Sequence, residues 1–375
     1  MSSTTSDGMF SWLPGVQKPL IVSAPMLGAS NGTLAAEVSK AGGLGIVPLG
    51  MDFTPGGAGL KTMASELATA RRVLGPSAPL GAGFLTFHGS VGRFAESAIP
   101  MLREHNVTVA WLFAPDRDAE NAGAAPHAEI IAALHGAGIK AMVQVGSVAA
   151  AREAAREGAD VIVAQGTDAG GHQFACGAGV VSLVPEVRDM LDEEFAGRGI
   201  GLVAAGGIAD ERGVAAALVL GKRAANQRAL RSAVACADVK WIGADAAVMG
   251  TRFLASEEST AGGHYRKAIL EGKDGGQLTV KSTFHDDIRQ TVVWPQLYDG
   301  RAIINKSYEE HVSGVTFEEN RKKYQEAVSS GDGTRLVTWS GTALGLVKEV
   351  LPAGEIVRKV REGARQRIQK VQSGL

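Results

Sequence analysis

Val161-Ile162-Val163-Ala164 runs straight into Gln165-Gly166-Thr167-Asp168-Ala169-Gly170-Gly171-His172. An apolar tetrad without alternation reads as a strand buried on both faces. The glycines after it read as a loop at the strand's C-terminal end, where backbone comes close to a ligand. Seven more runs of the same kind occur, at residues 20–23, 44–47, 80–85, 107–113, 141–145, 202–205 and 246–249. Between runs, residues 33–41, 61–73, 91–104, 127–137, 148–157 and 211–220 carry helical period. Gly42, Gly138 and Gly158 stand where left-handed caps end helices. Strands separated by helices pair in parallel through right-handed crossovers. Eight such units predict an α/β fold of the (β/α)8 TIM-barrel type rather than an open sheet.

After residue 255 the rhythm breaks. Residues 257–271, 318–329 and 342–372 read as helical, while 274–305 hold aromatics, prolines and turns. The division expected is an N-terminal tail over 1–17, a barrel over 18–256, and a mainly helical C-terminal extension over 257–375 packed on the barrel. The 38 basic and 39 acidic residues nearly cancel, so no broad field points to nucleic acid or a membrane surface. Cys176 and Cys236 form no CxxC, which argues against a disulfide framework or a cysteine-rich zinc site. The sequence shows neither a basic-then-apolar leader nor an apolar run approaching the ~20 residues of a membrane span. Gln372-Ser373-Gly374-Leu375 is not the usual peroxisomal tripeptide. A cytoplasmic protein is the expectation.

Catalytic residues of these barrels sit at the C-terminal ends of strands. His172, behind two glycines after the sixth run, is placed to exchange a proton near neutral pH. Alone, it would read rather as a surface-loop histidine capping a turn. Gly206 and Gly207, after the seventh run, offer bare N–H groups. Gly250 and Thr251, after the eighth, offer N–H groups and a hydroxyl. Loops at these two positions commonly cradle a phosphate. Ala24, Pro25 and Met26 could line one face of a flat ring, or Met26 could be core. Gln144, at a strand end, could bond a cofactor rim or be a satisfied buried amide. The remaining histidines have no HExxH or paired spacing and read as surface or packing residues, so no metal is expected. No GxGxxG opens a βαβ unit and no GxSxG elbow occurs.

These segments, with Ala41-Gly42-Gly43-Leu44-Gly45, Trp294-Pro295 and Tyr298-Asp299-Gly300-Arg301, resemble the nitronate monooxygenase (2-nitropropane dioxygenase) family over roughly residues 18–305. The resemblance implies an FMN-dependent barrel. Met26 and its neighbours would lie by the flavin ring. Gln165, Gly170 and Gly171 would contact FMN, and Gly206, Gly207, Met249, Gly250 and Thr251 would hold its phosphate. His172 would face the reactive part of the flavin and bind or deprotonate substrate. A nitronate and molecular oxygen would yield a carbonyl compound and nitrite. Asp168 stands where the family usually has Glu, and Gly81-Ala82-Gly83-Phe84 where many members have an Asn beside the flavin. Two other readings stay open: an NAD(P)H:quinone or enoyl reductase on the same fold, and a non-catalytic flavin- or phosphate-binding barrel.

In the family pattern Leu220-Gly221 runs directly into Ala244-Asp245. Here 22 residues, Lys222 to Gly243, intervene. Gly221-Lys222 can encode a splice donor, Ala237-Asp238 a branch point and Ile242-Gly243 an acceptor, and removal keeps the frame. The expectation is a translated intron, the alternative a genuine surface helix.

Overall fold

The computed structural model describes residues 8–116, 126–221, 243–290 and 294–374. Eight parallel strands form the central sheet: β1 (Leu20–Ser23), β2 (Ile46–Gly50), β3 (Gly81–Leu85), β4 (Val109–Phe113), β5 (Lys140–Val145), β6 (Val161–Gln165), β8 (Gly201–Ala205) and β9 (Ala246–Met249). Their spatial order is β1-β9-β8-β6-β5-β4-β3-β2. The ring closes just ahead of β2. Leu44 bridges Val22 in parallel, its N–H reaching the Ile21 carbonyl at 2.9 Å while its own carbonyl takes the Ser23 N–H at 3.1 Å. The barrel read from the sequence is present strand for strand. Its continuous apolar runs follow from burial on both faces: every residue of β1, β4, β8 and β9 is buried.

Helices cover the outside. Asn31, Ser147 and Asp210 cap three of them by accepting backbone N–H groups two or three residues on. The expected helix over 91–104 begins as a 3-10 turn (Val91–Arg93) before Phe94–Glu104. Val180–Glu194 is a helix that the periodic reading left unassigned; Pro185 interrupts its pattern. After β9 only the single turn Thr251–Leu254 follows. The eighth place in the helical ring is taken by the last helix, Ala353–Gly374, which packs between Gly32–Lys40 and Glu211–Val219. Ile356, Val357, Val360 and Ala364 form its buried stripe. Buried Arg361 donates to the Pro19 carbonyl at 3.2 Å and the Ala41 carbonyl at 2.8 Å. This helix, assigned from sequence to the extension, therefore stands in the ring of the barrel.

Residues 255–352 loop over the C-terminal rim between strand eight and that helix. The helix expected over 257–271 forms only from Gly263, after Gly262. The one expected over 342–372 is a 3-10 turn (Thr342–Leu346) and then the terminal helix, with Pro352 at the break. Residues 274–305, read as turns, contain two strands, β10 (Thr279–Ser282) and β11 (Tyr298–Ile303). They form an antiparallel sheet with β7 (Gly171–Phe174), in the order β10-β11-β7. The loop expected around His172 is thus partly strand.

The inserted segment, with Cys236 and Trp241, lies outside the described residues apart from Gly243. Its flanks are described. Gly243 and Ala244 donate to the Leu218 and Ala217 carbonyls at 3.2 and 3.1 Å, so the chain resumes beside the place it left, at the rim opposite His172. Among the described residues no helix is long and apolar enough to cross a membrane.

Candidate active site

The barrel mouth opens into a cavity of about 460 Å³, a size typical of small-molecule and cofactor sites. Ala24, Pro25, Met26, Gln144, Gln165, Gly170, Gly171, His172, Gly206, Gly207, Gly250 and Thr251 line it together. Met249 does not. Its side chain is fully buried, and its carbonyl takes the Ala24 N–H at 3.0 Å. Gly83 and Phe84 occupy the wall of β3, where no amide side chain is available.

Gly206 and Gly207 have φ of +98° and +72°, a conformation that turns successive N–H groups toward one point. A Cβ on Gly206 would lie 2.5 Å from the Gly166 carbonyl oxygen, so the turn admits only glycine. The Thr251 hydroxyl accepts the Gly341 N–H at 3.0 Å and keeps its own hydrogen to donate. Asp168, one methylene shorter than the family's usual residue, accepts from the Thr342 hydroxyl at 3.1 Å. The same residue's carbonyl takes the Thr342 N–H at 3.1 Å, so Asp168 fastens the covering segment to the rim. On the far side the Trp111 indole donates to Gln144 Oε1 at 3.0 Å. Gln144 Nε2 donates in turn to Gln165 Oε1 at 2.8 Å, and Gln165 Nε2 to the His172 carbonyl at 3.3 Å. This chain fixes both amides and leaves each a second N–H for a ligand's rim. Met26 and Trp111, Gly206 and Gly207, and the side-chain amides of Gln144 and Gln165 thus line one cavity, a mix of apolar surface and hydrogen-bonding groups that suits a flat ring with a polar tail.

His172 sits on β7, directly opposite Gly300 of β11. Its Nε2 is 3.0 and 2.9 Å from the two carboxylate oxygens of Asp286. Its ring stacks on Trp294 with centroids 3.6 Å apart and planes 10° from parallel, and Trp339 lies at 4.7 Å. The imidazole and carboxylate side chains are only 14% and 12% exposed, so the pair acts in a poorly hydrated setting where each charge counts for more. Arg301 holds the loop before β7 through two bonds to the Thr167 carbonyl, at 3.2 and 3.1 Å.

Asp286, Arg289, Trp339 and Tyr265 line the cavity and all come from residues 255–352. Sequence reading found none of them, although it noted Trp294 within a motif. The available signal was the acidic pair Asp286-Asp287, but nothing local ties it to His172; only the β7–β11–β10 pairing does. His285, its neighbour, is fully buried, and that burial pushes its pKa down to about 4. Of the other histidines, His127 Nε2 lies 3.0 Å from the Thr86 hydroxyl and His135 Nε2 2.7 Å from Asp160. Among the described residues no cluster of His, Cys, Asp and Glu could hold a metal.

Residues 13–229 match the family described as nitronate monooxygenase. A nitronate monooxygenase of Neurospora crassa is 51% identical, with 97% of this chain and 93% of that protein covered. Nitronate monooxygenase npaC of Metarhizium robertsii is 36% identical over 94% and 93%. The crystal structure of a nitroalkane oxidase from Streptomyces ansochromogenes superposes with TM-score 0.68 at 25% identity, covering 94% of this chain and 98% of that one. FabK from Thermotoga maritima gives 0.70 at 24% over 99% and 100%, a likeness of fold. With the barrel, the glycine turns and the imidazole at its mouth on one side and these relatives on the other, the chain belongs to the nitronate monooxygenase family of oxidoreductases.

Proposed function

We propose that this protein oxidises alkyl nitronates to a carbonyl compound and nitrite with molecular oxygen, using bound FMN. The observation that carries the reading is the His172–Asp286 pair in the lining of the cavity, with the His172 ring stacked on Trp294. FMN, when bound, supplies the electron acceptor and the partner for oxygen. Gly206, Gly207, Gly250 and Thr251 would hold its phosphate. Met26, Gln144, Gln165 and Gly170 would border its ring.

His172 is the catalytic residue of this reading. A carboxylate accepts and does not donate, so facing Asp286 the imidazole carries its proton on Nε2 and keeps a lone pair on Nδ1. In that state it takes a proton from a carbon acid. Once protonated it presents an N–H to an anion, with Asp286 stabilising the charge. Trp294 fixes the ring plane, and the covering segment excludes bulk water. Deposition of the substrate beside a pre-oriented base is what the protein contributes.

The test is anaerobic mixing of FMN-loaded protein with an alkyl nitronate, and separately with NADH and NADPH. Loss of the oxidised flavin's visible band with the nitronate, followed by nitrite release on admitting oxygen, is expected. Bleaching by a nicotinamide and none by any nitronate would replace this reading with the reductase one.

A further inference from the structure

We propose that Arg289 is the anion anchor of the substrate site, selecting ionised over neutral substrate. The inference rests on the nitronate reading above and names the residue that gives the site its charge preference. Two carboxylates, Asp168 and Asp286, line the cavity. An anion entering between them is repelled unless a cation answers it. His172 can do so only while protonated, and Asp286 already holds its Nε2. Among the described lining residues Arg289 is the sole lysine or arginine, and hence the sole permanent positive charge.

Its placement matches that task. Arg289 ends the helix Phe284–Arg289, one turn beyond Asp286, so a single short helix carries both the imidazole's partner and the guanidinium. Among the described residues it forms no ion pair. Its guanidinium lies over Trp339, 5.6 Å from the ring centroid, and Trp339 is 4.7 Å from His172. The indole supports the fork by cation–π contact without using its N–H groups. A planar NO2⁻ group offers two oxygens to such a fork, the geometry guanidinium binds in bidentate fashion.

The experiment uses the FMN-loaded protein and the variants Arg289→Gln and Arg289→Lys. Nitrate, a planar oxyanion that cannot react, is titrated against the flavin spectrum, and turnover is measured with an alkyl nitronate and its neutral nitroalkane. Arg289→Gln should weaken nitrate binding and raise KM for the nitronate by about tenfold to a hundredfold. KM for the neutral form should change by less than about threefold. Arg289→Lys should recover part of the loss, and melting temperature and FMN affinity should stay near the parent's. Parent turnover with unchanged nitrate affinity and nitronate KM in Arg289→Gln would overturn the anchor alone. Equal losses on ionised and neutral substrate, with a lowered melting temperature, would reduce Arg289 to a structural prop. A parent inert to nitronates would remove both this inference and the reading beneath it.

Discussion

Gly170→Ala tests how the covering segment is fastened to the barrel. A Cβ there would lie 2.3 Å from the Gly341 nitrogen and 2.4 Å from the Ser340 carbonyl carbon. Carbon atoms rest at roughly 3.5–4.0 Å, so one backbone must retreat by about 1 Å. Neither is free to do so. Thr342 N–H to the Asp168 carbonyl at 3.1 Å, Thr342 hydroxyl to the Asp168 carboxylate at 3.1 Å, and Gly341 N–H to the Thr251 hydroxyl at 3.0 Å hold the two sides together. Losing two of these at about 1 kcal/mol each, with overpacking of about 1–3 kcal/mol, gives a destabilisation of about 3–5 kcal/mol. For a chain of this size that lowers Tm by roughly 4–6 °C. Because Gly341, Trp339 and Ala343 form one wall of the cavity, FMN should also bind about tenfold or more weakly. Calorimetry and quenching of flavin fluorescence measure the two effects. Gly341→Ala places a Cβ 2.6 Å from the Asp168 carbonyl oxygen and should behave alike, and the double variant should cost much less than the sum. If Gly170→Ala keeps its Tm within about 1 °C and its FMN affinity within about twofold, the fastening does not matter and the argument fails.

His172→Asn should retain FMN and lose turnover by about a hundredfold or more, read by nitrite release; unchanged kcat would dismiss the imidazole. Asp286→Asn should keep the contact but let the amide donate, favouring the other tautomer; kcat should fall and its dependence on pH should shift, whereas an unaltered profile would make Asp286 merely structural. His285, fully buried, has its pKa pushed down from 6.5 to about 4. The unfolded chain thus binds the extra proton over that interval, and the stability held above pH 6.5 is lost as pH falls toward 4, by about 3 kcal/mol. His285→Phe should flatten that part of the denaturation profile, and an unchanged slope would contradict the assignment. Deleting Lys222 to Gly243 should leave a folded protein that binds FMN at least as well, since Gly243 and Ala244 bond to Leu218 and Ala217 beside the exit point; an insoluble or colourless deletion product would show the segment to be structural.

The barrel was legible because its information is local. Each strand is a run such as Val161-Ile162-Val163 that nothing but two-sided burial explains, and each glycine turn follows such a run directly. The amide, glycine and threonine lining of the cavity came from the same rule. Met249, placed at the phosphate by the family resemblance, turns its side chain into the core, since a strand-end residue points into or out of the mouth by register. The partners of His172 were illegible for a different reason. Asp286, Arg289 and Trp339 belong to a segment with no dominant period, and an antiparallel pairing between Gly171–Phe174 and Tyr298–Ile303 brings it over the rim. No periodicity argument supplies a long-range pairing of this kind. The last helix was recognised as a helix but not as the eighth of the ring, because more than a hundred residues, 250–352, separate it from its strand.

That final helix has a consequence for biosynthesis. Arg361 clasps the carbonyls of Pro19 and Ala41, so the terminal residues buckle the seam where the first and last staves meet. A nascent chain emerges from the ribosome start first, at about 5–20 residues per second. Every stave is out before the buckle is, and the cylinder waits unlatched until residues 353–374 have emerged. A chain cut short before Ala353 would therefore carry every cavity-lining group in a shell that cannot be fastened.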